Sequence, residues 1–314
     1  MNARTLKEKK KQGGIKGFKT TWPLYVMFLF PFVWFLIFSY IPMAGISMAF
    51  VDFIPGSGIP GFFTGEFVGF ANFKRFYDSF FFWQIIRNTI VISLLDIAVN
   101  FFTPIILALM FNEIISKVFR RIAQSITYLP KFISMVIIVS IYKEFLSLSD
   151  GVINNFIAAL GGQRIYFLAE PKYFWIIFTL MNTWATIGWS SIIYLSAISG
   201  VNPELYEACR IDGGGRFRMI WNITLPGIRN TIIIMLILRM GTILSVGLEP
   251  ILLLSNVNLY STAEVLSLHV YNIGILRFDY SYAAAVGLIQ SFIGLIMVII
   301  TNFIAKRVAD FGLW

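Results

Sequence analysis

Asn182, Thr186 and Trp189 fall at i, i+4 and i+7 of one apolar stretch, which puts an amide, a hydroxyl and an indole plate on a single helical face. Arg239, Thr242, Val246 and Glu249 follow the same period in a second apolar stretch and predict a stripe about 100° wide. The chemistry is that of holding a solute: hydroxyl-rich molecules need donors and acceptors, and the flat face of a sugar ring stacks on Trp. Polar groups are costly in hydrocarbon and normally turn toward protein or water, so both stripes predict a lined pathway. A packing reading stands beside that one, in which Trp189 only fills a subunit interface and Arg239 only pairs with Asp96. Lys131 and Lys143, near opposite ends of a third apolar stretch, read as snorkelling to the membrane interfaces. His269 reads as a solvated or packed residue rather than a proton relay.

Covalent and metal chemistry find no support in the residues. The single cysteine, Cys209, excludes an internal disulfide, and the single histidine leaves no Cys/His cluster for zinc. There is no G-x-x-x-x-G-K-[ST] loop, no Ser/His/Asp set and no catalytic pair of carboxylates at the membrane surface. The chain therefore reads as neither an ATPase nor a membrane enzyme, and as binding no cofactor of its own.

The elements that must position the polar residues follow from composition. The 314 residues are 58% hydrophobic and 13% charged, far from the roughly 25% charged make-up of a soluble domain. Spanning about 30 Å of hydrocarbon takes roughly 20 residues of helix. Six stretches qualify: 24–50, 84–112, 122–146, 172–199, 228–249 and 282–305. The predicted fold class is an all-α polytopic membrane protein of six transmembrane helices. The run 24–50 is too long for a signal-peptide core and lacks an evident cleavage site, so it reads as a retained first span. With the N-terminus inside, sixteen Lys and Arg fall on the cytoplasmic side, six on the opposite side and three within spans, which places both termini in the cytoplasm. The net charge of +9 is thereby a topology signal and not a nucleic-acid footprint. Residues 1–23 read as a basic cytoplasmic tail, 24–305 as the permeation domain and 306–314 as a cytoplasmic C-terminal tail. Between the first two spans, Phe70, Phe73, Phe76 and Tyr77 recur at helical spacing and predict a short interfacial helix.

The segment 202–226, between the fourth and fifth spans, is the longest cytosolic loop on this topology. Pro203 suits a first helical turn, Glu204 and Glu207 favour that end of the dipole, and Gly213-Gly214-Gly215 releases the backbone into a turn. A second helix then runs toward Pro226. A rigid helix–turn–helix displayed on the cytosolic face is suited to a groove on a soluble partner.

The same residues resemble the EAA signature of ABC importer permeases: Glu207-Ala208-Cys209, Gly213 four residues on, and the trailing Ile223-x-Leu225-Pro226. Cys209 replaces the second alanine and keeps the position small. Trp22-Pro23, Pro31, the run 37–43, the run 49–53 and Phe67-Val68-Gly69-Phe70-Ala71-Asn72-Phe73 resemble the LplB-like, polysaccharide-type group of type I carbohydrate permeases. The resemblance implies a coupling helix in which Glu207, Asp212 and Gly213 join the permease to an ATPase. It further implies a second homologous permease forming a heterodimer, two ATPase subunits or domains carrying ATP and Mg, and an extracytoplasmic solute-binding protein of lipoprotein type. The expected activity is import of oligosaccharides across a bacterial plasma membrane by alternating access. The rival is an ion-coupled secondary carrier, which would show inverted repeats or broken spans; the sequence suggests neither.

Overall fold

The computed structural model describes residues 15–58, 60–309 and 311–313, so most of the basic N-terminal tail lies outside the described residues. Among the described residues four helices are long and apolar enough to cross a membrane: Thr21–Phe50, Phe82–Glu113, Pro171–Ser199 and Tyr280–Ala309. Counting each of two bent pairs as one span gives six, the pairs being Lys117–Phe132 with Met135–Phe145 and Arg216–Gly227 with Arg229–Gly241. In chain order these are the first to sixth spans, with the bent pairs third and fifth.

The first span is exposed along most of its length, as at Met27, Phe28 and Phe30, and packs on the sixth through its last turns, where Ala49 is buried. The second and fourth spans carry the centre of the bundle. Phe101, Ile105 and Ala108 of the second meet Tyr194 and Ile198 of the fourth, with Ile228 closing the cluster. A five-residue π-helical turn, Ile97–Phe101, interrupts the second span directly after Asp96; such turns re-aim side chains without ending a helix.

The third and fifth spans correct the expectation of unbroken helices. In the third, Lys117–Tyr128 carries Lys117, Arg120 and Arg121 among exposed Val118, Phe119, Ile122 and Ile126. This amphipathic segment cannot be apolar all round. Pro130 starts a short 3-10 turn, Leu129–Phe132, and Ser134 accepts a hydrogen bond from the Ile137 N–H at 3.4 Å to begin the next helix. The two helices meet at 103°. The bend is held against the fourth span at Gly188, where an added Cβ would stand 2.0 Å from the Thr127 carbonyl oxygen.

The fifth-span helix ends at Gly241 and not near Glu249 as expected; residues 242–247 are non-helical before Leu248–Leu254. Unwound backbone at membrane depth is tolerated where its polar groups find partners, and here they do. The Ser93 hydroxyl donates to the Ile243 carbonyl, Gln290 Nε2 to that of Leu244 at 3.0 Å, and the Ser267 hydroxyl to that of Val246 at 2.8 Å. The sixth span approaches closely because Gly294 lacks a Cβ, which would sit 2.6 Å from the Gly241 carbonyl oxygen.

Between the first two spans, Val51–Asp52 pairs antiparallel with Glu66–Phe67. The expected short helix follows at Ala71–Tyr77, with Phe76 buried against Phe82, His269 and Tyr282, and Phe73 on Phe50. One face is thus pinned to the spans. His269 is packed, its Nδ1 3.0 Å from Glu264 Oε1 and its Nε2 3.0 Å from the Tyr282 hydroxyl.

Candidate functional site: a polar cavity and a helix–turn–helix loop

A cavity of about 370 Å³ opens among the second, third, fourth and fifth spans. Its size falls within the range of small-molecule sites. Asn182, Thr186 and Trp189 of the fourth span line it, as do Arg239 and Thr242 of the fifth. Glu249 does not: beyond the helix break it belongs to Leu248–Leu254, so the predicted single stripe from Arg239 to Glu249 does not exist. The unwound segment contributes Ser245, Val246 and Gly247 in its place.

At the cavity wall Asp96 organises the polar groups. Its Oδ2 accepts from Arg239 Nη2 in an ion pair, while Oδ1 accepts from Asn100 Nδ2 at 2.9 Å and from Asn182 Nδ2 at 3.4 Å. Asn100 in turn accepts from the Thr183 hydroxyl, so the network ties the second, fourth and fifth spans together. Thr186 gives its proton to the Asn182 carbonyl at 2.7 Å, which leaves its oxygen as an acceptor. The packing and pathway readings of Arg239 therefore coexist: it pairs with Asp96 and lines the cavity. Trp189 is half exposed and meets Phe132 edge-on, ring centroids 5.9 Å apart.

Lys131 was expected to snorkel away, yet it lines the cavity. The signal that could have found it is Pro130 inside an apolar run, which breaks a helix and turns its neighbours inward. Lys143 instead donates to the Leu253 carbonyl at 2.7 Å.

The segment 202–227 has the expected helix–turn–helix form. Pro203–Ile211 begins at Asn202, whose Oδ1 accepts from the Glu204 N–H at 3.0 Å. The helix closes on Gly213 at φ +72°, where the Gly213 N–H reaches the Arg210 carbonyl at 3.0 Å and the Gly214 N–H that of Cys209 at 2.8 Å. A Cβ at Gly214 would stand 2.8 Å from the Cys209 carbonyl oxygen and 2.3 Å from its Sγ, so glycine at 214 lets the turn close on residue 209. The return helix, Arg216–Gly227, is tied back by the Tyr206 hydroxyl, 3.0 Å from Thr224 Oγ1. Glu207, Ala208, Asp212 and Gly213 are exposed on the projecting turn, whereas Ile223 and Leu225 are half-buried, Leu225 against the core cluster of the second and fourth spans. Pro226 is exposed at the hinge into Arg229–Gly241. Leu205, Ile211, Phe217 and Trp221 leave apolar surface on the loop, a composition suited to a protein interface.

Comparison with known proteins agrees with this geometry. Residues 100–310 match the family described as binding-protein-dependent transport system inner membrane component. The polygalacturonan/rhamnogalacturonan transport system permease protein YteP of Bacillus subtilis (strain 168) is 40% identical over 98% of this chain and 95% of its own length. Protein LplB of the same organism is 41% identical over 93% of this chain and 91% of its own. A chain of a bacterial alginate ABC transporter, solved in complex with an alginate pentasaccharide-bound periplasmic protein, superposes with a TM-score of 0.86 at 41% identity, covering 95% of this chain and 99% of that one. The broken third and fifth spans remove the sequence argument against a gradient-driven carrier, but these relationships set that rival aside directly. The chain belongs to the family of binding-protein-dependent transport system inner membrane components and is a permease of the ABC importer class, with ATP hydrolysis carried by separate subunits.

Proposed function

We propose that this chain forms half of the translocation pore of an importer for acidic oligosaccharides. The observation that carries the cargo reading is the cavity itself: amide, hydroxyl, indole and cationic groups converge from four spans on one open space. The names of similar permeases, which refer to polygalacturonan and alginate, support a uronate-containing cargo. The other half of the pore is a second homologous permease, and the exposed faces of the first span and of Trp189 offer apolar area for it or for lipid.

The loop around Glu207, Asp212 and Gly213 docks an ATPase that holds ATP and Mg, and a lipoprotein-type binding protein delivers cargo on the opposite side. Both tails, 1–23 and 306–314, lie in the cytoplasm, as the distribution of Lys and Arg favours. ATP binding favours the outward-facing state and hydrolysis releases it, so the nucleotide supplies the bias through its differential affinity for the two states.

Co-purification tests the assembly. The tagged chain from its native membrane is expected to bring a second permease and an ATPase, with the ATPase selectively depleted by Gly213→Asp. A chain that purifies alone and still moves solute contradicts the proposal.

A further inference from the structure

The cavity contains two cations, and their surroundings differ. Arg239 spends its charge on Asp96, whose second oxygen is held by Asn100 and Asn182. Lys131, on the same cavity, is exposed, and among the described residues no hydrogen bond or ion pair engages its ammonium group. An ammonium left without a counter-charge attracts an anion more strongly than a paired guanidinium does.

The backbone places Lys131 there. It sits in the turn Leu129–Phe132 at the 103° bend, with Pro130 buried beside it. Gly188 lets the fourth span come against Thr127, and Phe132 packs on Trp189. These two contacts fix the turn on either side of the lysine, which is next in sequence to Phe132 and lines the same cavity as the Trp189 plate.

We propose that Lys131 is the residue by which this permease reads a carboxylate on its cargo, with Arg239 serving to order Asp96, Asn100 and Asn182. The assignment rests on the oligosaccharide reading of the cavity. A snorkelling lysine would be indifferent to cargo charge.

The test compares tetragalacturonate with its fully methyl-esterified form, which keeps the sugar backbone and removes the charges. Binding to the purified permease–ATPase complex is measured by calorimetry for wild type, Lys131→Gln and Lys131→Arg. A lost charge-assisted hydrogen bond predicts a Kd for tetragalacturonate weakened about tenfold or more by Lys131→Gln and largely restored by Lys131→Arg. The ester should bind wild type and Lys131→Gln alike. Equal Kd values of wild type and Lys131→Gln for tetragalacturonate, or equal weakening for both ligands, overturn the assignment while leaving the cargo reading intact. A wild-type complex that binds neither ligand overturns the cargo reading, and the Lys131 assignment with it.

Discussion

The 202–227 loop and the cavity are built in opposite ways. The loop is one contiguous segment whose parts touch at short range: Asn202 caps its own helix, Gly214 closes on Cys209, and Tyr206 reaches Thr224. The cavity gathers residues from four spans, and its central pair, Asp96 and Arg239, is separated by 143 positions in sequence. A projecting surface can be specified locally, whereas a cavity inside a bundle needs side chains delivered by helices that bend and unwind. The difference predicts that damage to the cavity propagates into the bundle, while damage to the loop stays at the joint.

The largest effect should come from Gly188→Val. The Thr127 backbone cannot yield easily to a Cβ, so the fourth span and the bend must part, at a cost near the upper end of the ~1–3 kcal/mol typical of overpacking. Thermal unfolding of the detergent-solubilised complex would show it as a lowered Tm together with lost cargo binding. An unchanged Tm would mean that the bend is not held at this contact.

Asp96→Ala comes next. The pair is partly exposed, so solvent discounts the cost of stranding Arg239 to roughly 1–2 kcal/mol. The variant should lose stability and bind neutral cargo less well, because Asn100 and Asn182 lose their anchor, while the unpaired Arg239 offsets part of that loss for charged cargo. A loss confined to charged cargo would transfer the charge-reading role to this pair.

Gly213→Val sharpens the other side. A β-branched residue at φ +72° costs about 1–2 kcal/mol, and the turn should shift, weakening ATPase association by roughly fivefold to thirtyfold. The cargo affinity should hold, and the Tm should fall by less than in Gly188→Val. If cargo affinity falls equally, the two regions are not separable.

Tyr206→Phe is the mildest change, removing the hydrogen bond to Thr224 at a cost of about 1 kcal/mol. ATP turnover should persist with reduced coupling to uptake, measured as ATP consumed per cargo molecule moved. A variant indistinguishable from wild type would mean that this link does not brace the loop.

Local construction explains what the sequence revealed. Pro203, the glycines from Gly213 and the Ile223-x-Leu225-Pro226 trailer write the loop in consecutive residues, so its form was readable before any contact was known. The fourth span kept its period, and Asn182, Thr186 and Trp189 do share one cavity. Periodicity failed where helices stop: the fifth stripe assumed helix past Gly241, but the 242–247 backbone is satisfied by Ser93, Ser267 and Gln290, partners that no local pattern announces. Lys131 was misplaced for the same reason, because a lysine in a straight third span would point elsewhere than one in a 103° bend.

The most direct test of the account is uptake by proteoliposomes holding the two permeases and the ATPases, with binding protein outside and ATP inside. The account predicts accumulation of labelled tetragalacturonate that requires ATP and binding protein, and that falls with Gly213→Val in step with lost ATPase association. Uptake driven by an ion gradient in vesicles lacking the ATPase, undiminished by that substitution, would contradict it.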